Sequence, residues 1–387
     1  MEAKEVFEGR VESLRGVAAM MVAIAHSLIV FSIGSIHDIW QLSLPEAHGG
    51  QAFLTRGLLA FFNASVAVTV FFVISGFVLG LSLDRRDPRL GYRYFPFLIA
   101  RTFRLYPALI ICLVFIGIYW IALPSPVDIQ NTSEWYRRYI PTLDIGIWLK
   151  EAALLGCTLN PVAWTLQVEM AAALVLPFMH LASRNRRLAA DGMALAVLLF
   201  VGWALKDNLV APQLFVFYLG LMVPATGRRM IENVGDKTLY SFLVGTSLAM
   251  MLLPLTFAGE IRYSNRIIEA SGAFIFISAM LYGRNMPVFS LLDSRIARFY
   301  GKISYSFYLY HFFLMFVLSQ LIFAKVPPNL TMAYPLPMGL MLAALSVLIS
   351  TGVASLSYRF VEHPGITLGK RFSRTVVGLM RTAPRMG

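Results

Sequence analysis

Residues Ser13–Ser27 read SLRGVAAMMVAIAHS. Between Arg15 and His26 every residue is apolar or small, so a membrane-spanning helix starts here. A histidine sits well inside that helix, and an imidazole in lipid needs a partner or a cavity. The segment does not read as a cleavable leader. It lacks a small-residue cleavage pattern, it carries His26, and more apolar runs follow.

Those runs recur along the whole chain. Of its 387 residues 58% are hydrophobic and only 14% charged, far from a soluble average. Apolar segments near 16–34, 57–83, 106–124, 162–182, 188–205, 210–225, 238–257, 267–283, 303–323 and 337–358 predict ten spans. The fifth and sixth, flanking KDN at 206–208, carry the weakest pattern. The expected fold is all-α: a polytopic membrane helical bundle of about ten transmembrane helices. One membrane domain is expected over 1–364, followed by a basic tail over 365–387.

The formal net charge is +12. With the N-terminus placed in the cytoplasm, 25 of the 33 lysines and arginines fall in cytoplasmic segments, which predicts both termini inside. The charge therefore points to topology and membrane lipid, and not to nucleic acid. Cys112 falls in a span and Cys157 outside, so neither a disulfide nor a metal-binding spacing is expected. No phosphate-binding glycine loop, dinucleotide fingerprint or His-Glu-x-x-His zinc motif is present.

Arg15 and His26 are eleven residues apart, about three helical turns, so they share a face. The rise of about 16 Å puts Arg15 at the cytoplasmic mouth and His26 near mid-membrane. Neutral imidazole there is a suitable general base. Taken alone, His26 reads equally well as a structural histidine, and Arg15 better as a topology anchor.

Other polar groups fall at membrane depth. In NPVAWTLQVEM, Asn160 is the expected N-cap, Pro161 the first helical residue and Trp164 an interfacial residue on the outer side. Glu169 then lies about 12 Å further in, one turn from Thr165. In GKISYSFYLYHFF, Ser304, Tyr308 and His311 share a face, with His311 at a depth similar to His26. Arg101 and Arg104 in RTFR are helical neighbours able to grip phosphate, although lipid headgroups satisfy the same charges. Arg359 and Glu362 in SYRFVEHPG are spaced to pair at a helix end before Pro364.

Together the segments SLRGVAAMMVAIAH, VFFVISGFVLG, RTFRLYP, AWTLQVE, GKISYSFYLYHFF and YRFVEHP, in this order, resemble the acyltransferase-3 family of integral membrane acyltransferases. The resemblance covers most of the chain. It implies transfer of an acyl group, often acetyl, from cytoplasmic acyl-CoA to a hydroxyl of a cell-envelope glycan or lipid-linked sugar in the bacterial inner membrane. No permanently bound cofactor is implied, and glycan-biosynthesis proteins are candidate partners. On this likeness His26 and Glu169 are the expected catalytic residues. Arg15, Arg101 and Arg104 are expected to bind the CoA phosphates, and Trp164, Tyr308, His311 and Glu362 to line the cavity. Thr165 stands where the family often has Ser, and Met170 where a second acidic residue is frequent, so a carboxylate pair is not supported. His26 would act as general base or take the acyl group covalently, with Glu169 approaching from the outer half to orient the acceptor or tune His26. The competing classes are a proton-coupled transporter or flippase of a sugar-lipid or small metabolite, and a structural membrane scaffold.

Overall fold

A computed structural model describes residues 2–85, 90–122, 131–139, 144–183, 188–259 and 262–382. In chain order the α-helices are α1 (Glu2–Leu28), α2 (Gly50–Phe61), α3 (Ala64–Asp84), α4 (Leu90–Ala122), α5 (Glu134–Arg137), α6 (Ile145–Ala152), α7 (Trp164–Ser183), α8 (Leu188–Ala204) and α9 (Leu214–Met222). They continue with α10 (Arg228–Glu232), α11 (Lys237–Ala258), α12 (Tyr263–Tyr282), α13 (Pro287–Ser290), α14 (Arg295–Lys325), α15 (Pro328–Ala333), α16 (Pro335–Ser357) and α17 (His363–Thr382). Among the described residues no strand forms beyond isolated bridges such as Phe31–Thr132.

Among the described residues each apolar segment falls mainly on helix, the first ending at Leu28 and the second divided between α2 and α3 at Phe62 and Asn63. Eight stretches are long and apolar enough to cross a bilayer. A ninth, α12, passes together with Pro287–Asp293 across an 82° bend, and Leu188–Ala204 is a shorter apolar helix. Large apolar side chains such as Phe200, Phe242 and Leu348 are exposed on the outside, as lipid rather than water requires. Local chemistry sets several starts. Asn63 caps α3 by accepting from Val66 N, Asp236 caps α11 through Leu239 N, and Ser294 caps α14 through Ala297 N.

The boundaries differ from expectation where tertiary contacts intervene. The first span stops at Leu28, and the chain then pairs with a distant segment: Ser32 N donates to Asn131 O, and Ser133 N to Val30 O. The helix of the third apolar segment, α4, starts at Leu90, so RTFR lies inside it. The basic segment from Gly365 onward forms most of α17, which lies back on α4. Phe372 stacks on Phe103 at 5.3 Å, and Ser373 Oγ donates to Pro96 O at 3.0 Å.

Contacts between segments distant in sequence gather at two ends of the bundle. At one end Arg10 binds Asp293 and Asn285, and Tyr240 reaches Arg284 O. At the other, Arg56 reaches Leu42 O and Leu255 O, and Gln51 reaches Ala333 O.

One helix pair fixes the centre. α1 and α14 run parallel and cross at Gly16 and Gly301, where a Cβ on Gly16 would lie 2.5 Å from Gly301 N. Only two glycines allow so close an approach. His26 is ten residues beyond Gly16, and His311 ten beyond Gly301. About 15 Å along both helices, the two histidines therefore arrive side by side.

Candidate active site

The two imidazoles are in direct contact. His26 Nδ1 lies 3.1 Å from His311 Nε2, with the rings nearly parallel at 5.3 Å. His311 is fully buried, and its Nδ1 lies 2.6 Å from Tyr308 O. A carbonyl only accepts, so the hydrogen bonds assign the tautomers. His311 carries its proton on Nδ1 and presents a lone pair at Nε2. His26 must then donate from Nδ1, which leaves the lone pair on its own Nε2. Trp135 lies against the His26 ring at 5.1 Å and Phe312 meets it edge-on at 5.9 Å, fixing its orientation.

His26 is half-buried and borders two cavities. One, of about 300 Å³, opens toward the Arg56 end and includes Trp40, Arg56, Asn63, Trp135 and Arg138. The other, of about 160 Å³, includes Val68, Trp164, Gln213, Arg266 and Tyr308. Tyr308 packs edge-on to Phe71 at 5.5 Å and points its hydroxyl at Val162 O. His26, His311, Tyr308 and Trp164 are thus brought together.

Trp164 shares this cavity with His26 because of how α7 begins. The turn before α7 is drawn inward to the level of the histidines. Buried Glu151 accepts from Leu159 N and from Asn160 N, and Asn160 Nδ2 donates to Leu309 O at 3.1 Å. Asn160 does occupy the N-cap position ahead of Pro161, but its side chain makes no capping bond.

Glu169 follows five residues later, so it is carried about 7.5 Å past the histidine level, toward the opposite end. There it meets Arg101, Nη2 to Oε2 at 2.5 Å, and accepts from Ser75 Oγ at 3.2 Å. The structure therefore separates Glu169 from His26 and joins it to the arginines. Arg15, Arg101, Arg104, Glu169, Ser75 and Lys370 line a third cavity of about 220 Å³. Arg101 is buried, and its Nε has no partner. Buried guanidinium groups with one donor unmet, beside a cation in excess of the carboxylates, form a site for an anion.

Glu362 is buried behind this cavity and accepts from Ser306 Oγ at 2.8 Å, within electrostatic reach of Arg104 and Arg15. The expected Arg359–Glu362 pair does not form among the described residues. The helix widens into a π turn over Tyr358–Glu362, which turns Arg359 over the Phe360 ring at 5.4 Å.

Three groups escape a reading of the sequence alone. Lys370 enters the arginine cavity only because α17 folds back; its amphipathic pattern was the available signal. Trp135 sits in a short polar segment whose approach to His26 depends on the pairing with residues 30–32. Arg56 lies within an apolar helix and reads as an isolated charge.

The profile of the acyltransferase domain family, Acyl_transf_3, matches residues 8–358. The "Putative membrane-bound transacylase BcsY" of Komagataeibacter xylinus is 27% identical over 334 residues, covering 79% of this chain and 77% of that protein. No solved structure matches. Apolar helices that can span a bilayer make this an integral membrane protein, and the match over nearly its whole length establishes that the chain belongs to the acyltransferase-3 family of membrane acyltransferases.

Proposed function

We propose that this membrane acyltransferase takes an acetyl group from acyl-CoA on the cytoplasmic side and transfers it to a hydroxyl of a cell-envelope or exported glycan or a sugar-lipid. The observation that carries the proposal is the arrangement along α1. An anion cavity lies at Arg15, and an imidazole with a free Nε2 lies about 16 Å further along the same face. A donor with a phosphorylated head and a reactive thioester on a long arm matches that layout. The small cavity beside Trp164 and Tyr308 suits a short acyl chain. The positive-inside bias supports a cytoplasmic arginine end in a bacterial inner membrane.

In this reading Arg15, Arg101, Arg104 and Lys370 hold the CoA phosphates, with Glu169 fixing the Arg101 fork. His26 Nε2 removes the proton of the acceptor hydroxyl. The oxygen bonds to the thioester carbonyl carbon, the carbon–sulfur bond breaks, and the imidazolium returns the proton to the departing sulfur. The products are an ester and the CoA thiol. His311 accepts from Nδ1 of His26 throughout, which keeps the reactive lone pair on Nε2 and stabilises the charged ring.

The test is CoA release by the purified protein with acetyl-CoA and an envelope-glycan extract as acceptor. His26→Ala is expected to lose about 10²-fold or more in turnover while still binding CoA. Near-full turnover of this variant would sink the assignment. Movement of a sugar across liposomes with no CoA release would favour a carrier instead.

A further inference from the structure

The cavity of about 300 Å³ beside His26 is lined by donors with nothing to donate to. Asn63 is 1% exposed, and its Oδ1 is committed to Val66 N as the cap of α3. That bond fixes the amide orientation and leaves Nδ2 buried without a partner, on a residue that lines the cavity. Trp40 Nε1 is likewise buried and unpartnered. Buried donors left unmet in this way cost stability unless a ligand or water meets them.

The charges are similarly unbalanced. Three arginines border the two cavities at His26. Arg138 has Glu134 at 3.6 Å and Asp38 at 4.0 Å, and Arg266 lies within reach of Glu269. Arg56 is 1% exposed and binds only two backbone carbonyls, Leu42 O and Leu255 O, with no carboxylate partner among the described residues. A buried guanidinium without a counter-charge is a place for an anion. Trp135 and Tyr139, 5.4 Å apart on the same wall, offer flat faces of the kind a sugar ring packs against.

We propose that this cavity is the acceptor subsite and that it selects an anionic sugar, one bearing a carboxylate or a phosphate that binds Arg56 and Asn63 while a neighbouring hydroxyl meets His26. The inference rests on the acyltransfer reading for the role of His26, but the anion selectivity stands on the donors alone. A neutral sugar leaves the Arg56 charge unmatched. An anionic one satisfies it together with Asn63 Nδ2 and Trp40 Nε1.

The experiment is a titration of the full-length protein in nanodiscs at constant ionic strength, read by tryptophan fluorescence and Tm. The probes are glucuronic acid, glucose 1-phosphate and glucose. Saturation by at least one of the two anionic sugars at concentrations roughly tenfold below glucose is expected, and their order separates a carboxylate ligand from a phosphate ligand. Arg56→Gln should remove the preference. Because Arg56 also ties two loops together, Asn63→Asp is the decisive variant. Aspartate keeps the helix cap but replaces a donor with an anion, so it should weaken the acidic sugars roughly tenfold relative to glucose. Equal binding of glucose, no binding of any of the three, or an unaltered Asn63→Asp curve overturns the proposal. CoA binding is measured on the same preparations. If CoA binds and the sugars do not discriminate, only this inference fails; if CoA does not bind, the acyltransfer reading fails separately.

Discussion

The tautomer chain from Tyr308 O through His311 to His26 makes a prediction that His26 alone does not. His311→Leu removes the acceptor of His26 Nδ1–H, so the proton is free to move to Nε2. Turnover should fall by about 10²-fold, in kcat and not in affinity for CoA, while His311→Gln, which can still accept through its amide oxygen, should recover part of it. Steady-state kinetics with acetyl-CoA separates the two, and equal losses for both variants would contradict the relay. The Arg101–Glu169 pair makes a second. Arg101→Ala strands a largely buried carboxylate and should cost about 2 kcal/mol, visible as a lower Tm. Arg101→Ala with Glu169→Ala should regain much of that stability but not CoA affinity. A double variant as unstable as the single one would show that the pair does not act as a unit. Charge and periodicity singled out Arg15, Arg101 and Arg104, which line one cavity, and His26, Tyr308 and His311, which gather together. They did not show that Glu169 joins the arginines, because hydropathy marks where an apolar run begins but not how deep. That depth is set by Glu151 and by Asn160 on Leu309 O, contacts between segments far apart in the chain.

Among the elements, the crossing of α1 and α14 decides whether the histidines meet. Gly16→Ala places a methyl 2.5 Å from Gly301 N, and Gly301→Ala one 2.6 Å from the Glu12 carbonyl carbon, so either must push the helices apart. A displacement near 1 Å at the reacting groups can cost about 10²-fold, and turnover should fall by roughly that amount in both variants. Gly352→Ala on α16, where nothing lies within 4 Å, should behave as wild type. CoA release and Tm on the three proteins check this; full activity in Gly16→Ala would mean the helices adjust freely. The eight or nine helices long enough to cross could be read from apolar runs because lipid demands internal backbone bonding over a fixed length. Their ends could not. Whether α1 stops at Leu28, or α17 folds onto Phe103, depends on partners that no local pattern encodes.

For the whole molecule, the separation of contacts into two ends, together with the basic bias, gives an orientation that can be measured. With the half-exposed Cys157 replaced by serine, Asn233→Cys, beside Arg228 and Arg229, should react with a membrane-impermeant thiol reagent only in inverted vesicles. Gln51→Cys, near Ala333, should react only in right-side-out ones. Labelling of both from one side would overturn the alternation. The bundle also joins its extremes: Arg15 from the first helix and Lys370 from the last line one cavity. Synthesis runs from one to the other, so the pocket stays open until residue 370 has been made. A ribosome stalled before residue 370 leaves a nascent protein with arginines facing an unfinished wall. On the proposed acyltransfer reading, a chain released before residue 370 should consume no acyl-CoA.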